Sequence, residues 1–158
     1  MKSAKQISFL TIAFLFLIAC QKQNLNSANN SLIGNWQVVE IYNAIGEKTD
    51  SGTSTTESFS EEGDLGNFVF NENTVAYNYT KSNEYFVNNE EWNLERTKQN
   101  QGFHKVEQYF LTIGIQQYRC RFGDETSDAE KDATAIQLEF ESTAIGPWET
   151  YILFLEKE

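Results

Sequence analysis

From Trp36 onward, apolar residues return mostly at every second position, and that spacing limits what the chain can build. A period of two sends alternate side chains to opposite faces of a β-strand, whereas a helix needs a period near 3.6. In AIQLEFE the pattern is unbroken: Ile136, Leu138 and Phe140 share one face, and Gln137, Glu139 and Glu141 the other. In QQYRCRF, Tyr118, Cys120 and Phe122 alternate with Arg119 and Arg121. GNFVFNENTVAYNYT carries Phe68 and Phe70 on one face, turn residues from Asn71 to Asn73, then Val75, Tyr77 and Tyr79, which predicts a hairpin.

Further strands are expected at 36–42, 85–87, 91–96, 105–113, 115–122, 135–141 and 150–155. YILFLE is apolar at both parities, as in a strand covered on both sides. No long stretch holds a helical period, so there is no room for helical crossovers and the neighbours should be antiparallel. Closing the sheet removes the two edges that an open one would expose. The expected fold is all-β, a small antiparallel up-and-down barrel of about eight strands.

The amino terminus has a different composition. Lys2 and Lys5 precede an apolar run from Phe9 to Ile18, about half the roughly 20 residues a membrane-spanning helix needs. That layout is an export signal. Its last four residues, Leu17, Ile18, Ala19 and Cys20, resemble the lipobox of bacterial lipoproteins. The resemblance implies cleavage before Cys20, diacylglycerol on its thiol and an acyl chain such as palmitate on the new amino terminus. Two or more chains hold a protein stably at a bilayer, at roughly 0.8 kcal/mol per buried methylene. On this reading residues 1–19 are the signal peptide, 20–31 the lipidated cysteine and a polar tether (QKQNLNSANNS), and 32–158 the barrel domain. Gln21 after the cysteine, with no acidic run following, resembles bacterial lipoprotein sorting patterns that imply the outer membrane of a Gram-negative cell envelope, on its periplasmic side.

Charge narrows the partners. The chain has 12 basic and 23 acidic residues, a net charge of −11, and loss of Lys2 and Lys5 with the signal takes it to −13. Nucleic acid is therefore excluded as an expected partner, since phosphate binding needs clustered Lys and Arg. With Cys20 claimed by lipid, Cys120 has no disulfide partner and reads as a small buried hydrophobe.

LIGNWQVVEIY, from Leu32 to Tyr42, resembles the opening strand of lipocalin-like proteins, in which a Gly-x-Trp unit starts the barrel and the tryptophan plugs its closed end. Gly34 and Trp36 fill those positions. Small bacterial lipoproteins of that group share the order of signal, lipobox cysteine, tether and aromatic-rich meander. An eight-stranded barrel is either filled by its own side chains or holds one small ligand. Trp36, Phe68, Phe70, Tyr77, Tyr79, Phe110, Tyr118 and Phe140 are the candidate lining, which would suit an apolar or amphipathic guest; the same residues could equally fill a core.

Two acidic segments complete the inventory. Gly46 to Gly66, rich in Ser, Thr and Gly, exceeds ordinary hairpin loops and is expected as a lid over the cup or, in better accord with its composition, a disordered loop. Asp124, Asp128 and Asp132 are four apart but lack the calcium-loop spacing, so a solvated loop is expected and no metal or cofactor. His104 has no serine or cysteine near it in sequence, and no nucleophile elbow or phosphate loop appears, so no enzymatic activity is expected. Two functions follow from the sequence: a membrane-anchored lipoprotein binding a small apolar or amphipathic ligand, or a filled barrel that meets an envelope protein through its acidic loops.

Overall fold

The computed structural model describes residues 25–101, 104–123, 133–142 and 146–158, with side chains described except at 99–101 and 104–106. Cys20, and the aspartates at 124, 128 and 132, lie outside these residues. A short helix, α1 (residues 25–32), leads into β1 (Gly34–Thr49), β2 (Gly52–Glu62), β3 (Gly66–Phe70), β4 (Thr74–Lys81), β5 (Glu84–Gln101), β6 (His104–Ile113), β7 (Gln116–Phe122), β8 (Ala135–Glu141) and β9 (Gly146–Lys157). Every pairing is antiparallel. β1 pairs with β3 on one edge and β9 on the other, which closes β1 and β3 to β9 into an eight-stranded barrel.

The expected hairpin of Phe68 and Tyr77 is present, with these two residues directly opposite each other. The segments expected at 85–87 and 91–96 are one strand. β5 gives residues 84–91 to β4 and 92–101 to β6, so its apolar positions fall in two blocks separated by Asn88 to Glu91. The β4–β5 loop is two residues, Ser82 and Asn83, both at positive φ (53° and 63°), the backbone that lets a tight hairpin follow the strand twist.

Two expectations are corrected. The segment from Gly46 to Gly66 is neither a lid nor disordered: it holds the end of β1, a turn at Asp50 and Ser51, and β2, in register from Thr49 opposite Gly52 to Glu40 opposite Glu62. Its threonines and serines satisfy a β ladder as readily as a loop, and the partner strand decides. β2 thus lies on the same edge of β1 as β3, outside the closed wall.

The tether is also shorter than expected, and the barrel domain begins before residue 32. Residues 25–32 are helical, with Ala28 and Leu32 wholly buried and Leu25 packed on the core. Leu25, Ala28 and Leu32 stand three and four apart, an apolar stripe along one helix face. The helix seals one pole: the Trp36 indole Nε1–H donates to the Leu32 carbonyl at 2.7 Å, and Trp36 has no exposed surface. Lys157, near the end of β9, donates from Nζ to the Ser31 carbonyl at 2.9 Å, with that ammonium 5.2 Å from the Trp36 ring centre. Gly34, at φ +131°, lies beneath this lysine, and a Cβ there would stand 3.2 Å from Lys157 Cε. The glycine of the Gly-x-Trp unit is thus required by its backbone conformation, while the lysine tip above it has room to shift.

On β9 the core takes Tyr151, Leu153 and Leu155, while Ile152 and Phe154 on the outer face are half-buried rather than covered by a second layer.

Candidate functional site

The inner wall carries one face of every barrel strand, and the rings from those faces touch. Phe68 stacks on Tyr77 at 5.2 Å and on Tyr79 at 5.6 Å, and Tyr79 on Phe86 at 5.0 Å. Phe70 meets the Trp92 edge at 5.6 Å; across the barrel Phe140 packs on Tyr151 at 5.0 Å, and Tyr118 on Tyr151 at 6.2 Å. Phe68, Phe70, Tyr79 and Tyr118 are each at most 5% exposed, and Tyr77 and Phe140 are half-buried. Four of these side chains belong to one buried core cluster with Tyr77 and Phe140 packed against it, and Trp36 closes the barrel's sealed pole.

Polar atoms gather at the mouth. The Tyr118 and Tyr151 hydroxyls are 3.3 Å apart, and the Gln116 amide donates to Tyr151 at 2.7 Å. Lys81 reaches Glu149 at 2.6 Å with its ammonium 4.1 Å from the Tyr151 ring centre. Burial pushes the phenols of Tyr79, Tyr118 and Tyr151 above their ordinary ionisation range, so all three stay neutral. Asn43, directly opposite Tyr151 on β1, is buried with its Oδ1 unpartnered. Cys120 is free and buried, and burial pushes its thiol up, away from the reactive thiolate.

Phe110 does not line the barrel. β6 reads Tyr109, Phe110, Leu111, apolar at both parities, so alternation alone could not choose its face. The register chooses: Tyr109 pairs with Cys120 and Leu111 with Tyr118, both in the core, while Phe110 pairs with Arg119, which pairs in turn with Glu139. Phe110 is therefore on the outer wall.

There it helps to form a groove of about 590 Å³ that crosses the outer wall of β6 to β8 and bends over the rim. Phe110, Phe140 and Ile115 supply its apolar surface, Ile115 being fully exposed at the β6–β7 turn. Arg119, Gln116 and Gln117 supply polar groups. The two carboxylates of the lining are already engaged. Glu139 accepts from Arg119 and Arg121, each at 3.3 Å, and Glu141 accepts from Lys48 at 3.0 Å and from the Trp148 indole at 3.4 Å. The Lys48 bond holds the Glu141 carboxyl below the usual range.

Sequence reasoning placed Phe110 and Phe140 in one group but on a shared inner wall; it missed Arg119, Ile115 and Gln117. The outward phase of Arg119 was readable from QQYRCRF, yet which strands flank it was not. Among the described residues, no cluster of His, Cys, Asp and Glu is placed to hold a metal ion. Comparison with protein-family models, with curated proteins and with solved structures found no match to this chain.

Proposed function

We propose that this protein is a lipid-anchored, lipocalin-like lipoprotein of the bacterial cell envelope, held at the outer membrane through Cys20, that binds a small amphipathic molecule in its rim groove. The observation that carries the ligand reading is the groove itself. Its volume of about 590 Å³ falls within the roughly 300–1,000 Å³ of small-molecule sites, and aromatic walls stand beside a few polar groups, as such sites require. Because the lining carboxylates are committed to cations, a guest with an apolar body and a hydrogen-bond-accepting head fits better than a cation. We place the guest at this outer site rather than inside the barrel because the rings that would line a cup pack on one another. The export signal and the residues Leu17 to Cys20 support the anchor.

A second reading, a filled scaffold that meets an envelope protein, is favoured by the exposure of β2. The ligand reading is tested by native mass spectrometry of the purified full chain in detergent after incubation with an envelope lipid extract. Retention of a defined small mass that Phe110→Ser abolishes supports the groove. Retention unaffected by Phe110→Ser sinks it, as does an empty spectrum.

A further inference from the structure

β2 is 11 residues long, pairs only with β1 among the described residues, and is exposed at every position except Phe59 and Glu61, which are half-buried. Its other edge is a row of backbone groups with no strand of the described residues beside it. Natural edges of this length are blunted by lysine, proline, strong bulges or a covering segment. β2 contains neither lysine nor proline, and its one irregularity is the shift between Ile45 and Gly46 that leaves Thr56 unopposed. Its side chains between Gly52 and Thr56 are small hydroxyls, which let another backbone approach. The edge is also held ready: β2 is fixed to β1, and β1 to β9 from Trp36 to Lys48, so little order has to be gained on binding.

Charge selects the occupant. Glu40 and Glu62 stand directly opposite each other on β1 and β2, an unfavourable pair in a sheet, and Glu57 is exposed further along. A second copy fits badly. Antiparallel pairing of the whole edge about a two-fold axis would set Glu57 against Glu57, between bodies that each carry a net charge of −11. An extended segment with lysine or arginine opposite Glu57 and Glu62 would instead complete the ladder and relieve the Glu40 and Glu62 pair.

We infer that the open edge of β2 is a docking site for an extended basic segment of a partner protein, which adds to the sheet as a further strand. This site is separate from the rim groove and stands or falls independently of it.

The test is hydrogen exchange on the full chain in detergent, with a threonine peptide of about ten residues that carries lysine at two positions five apart, to stand opposite Glu57 and Glu62 on the two faces of β2, as probe and the same peptide with glutamate in place of lysine as control. The expected result is that amides within residues 52–60 exchange on the order of tenfold more slowly with the lysine peptide alone, an effect weakened by salt. The exposed double variant E57K/E62K should reverse the preference toward the glutamate peptide. Absence of protection in β2 with the lysine peptide overturns the proposal, as does equal protection in the double variant, which would mean diffuse attraction to an acidic body. Concentration-dependent protection of β2 without peptide overturns it in favour of a second copy.

Discussion

The Lys157 ammonium stands 5.2 Å from the centre of the Trp36 ring while donating to the Ser31 carbonyl at 2.9 Å, so one side chain from the last strand clamps both the first strand and the helix before it. Trp36 is itself bound to that helix through Leu32. Lys157→Met keeps much of the apolar stem but loses the charge over the ring and the bond to Ser31. Each such contact is worth about 1 kcal/mol. Urea denaturation should show the variant destabilised by about 1–2 kcal/mol with unchanged m-value. No change in midpoint would mean that the clamp contributes nothing.

Tyr118 and Phe110 are opposites, one buried in the core and the other half-buried on the outer wall. Tyr118→Ala removes a ring packed against Phe140 and Tyr151 and should cost about 3 kcal/mol or more. Phe110→Ala, on the half-buried outer wall, should cost at most about 1 kcal/mol. Equal losses in thermal or chemical unfolding would contradict the faces assigned here.

Asn43 keeps a buried carbonyl oxygen without a partner. An unsatisfied buried acceptor costs about 1–3 kcal/mol, and an apolar side chain of similar shape avoids that cost. Asn43→Leu should therefore raise stability by about 1 kcal/mol in the same urea assay. A loss of stability would show that the amide is satisfied in solution, for instance by a trapped water.

Alkaline pH should unfold the protein through its tyrosines. Tyr79, Tyr118 and Tyr151 are raised above the ordinary phenol value of 10.0, chiefly by burial. A group whose folded pKa is raised contributes stability that is complete below its unfolded pKa and is lost as pH rises beyond it. Stability should hold up to about pH 10 and fall above it. Tyrosinate absorbance from these residues should then appear together with loss of the β-sheet circular dichroism. Reversible ionisation of all the tyrosines in an intact fold would defeat the assignment.

The closed antiparallel barrel was legible because Ile136, Leu138 and Phe140, or Tyr118, Cys120 and Phe122, leave only one face to bury. Phe110 was misplaced because both of its neighbours are apolar too, and pairing with Arg119 settles its face only once the strands are assembled. Helix α1 was hidden by its brevity: three apolar residues in a polar run look like linker until the end of a barrel gives them something to cover. The arm from Gly46 to Glu62 was hidden by composition, since serine and threonine suit a solvated edge strand as well as a loop. The groove was the least legible feature, because Ile115, Arg119 and Phe140 meet only through the register of three strands.

The seal formed by Trp36, α1 and Lys157 brings the two ends of the described fold to a single pole, where the Glu158 amide bonds the Asn35 carbonyl at 3.1 Å. A tag or a surface attached after Glu158 therefore starts at that pole, leaving the mouth and the β1–β2 turn free to be probed. The same proximity makes the chain a candidate for circular permutation: joined there by a short linker, it could be opened at the Asp50 and Ser51 turn without cutting a strand of the closed wall.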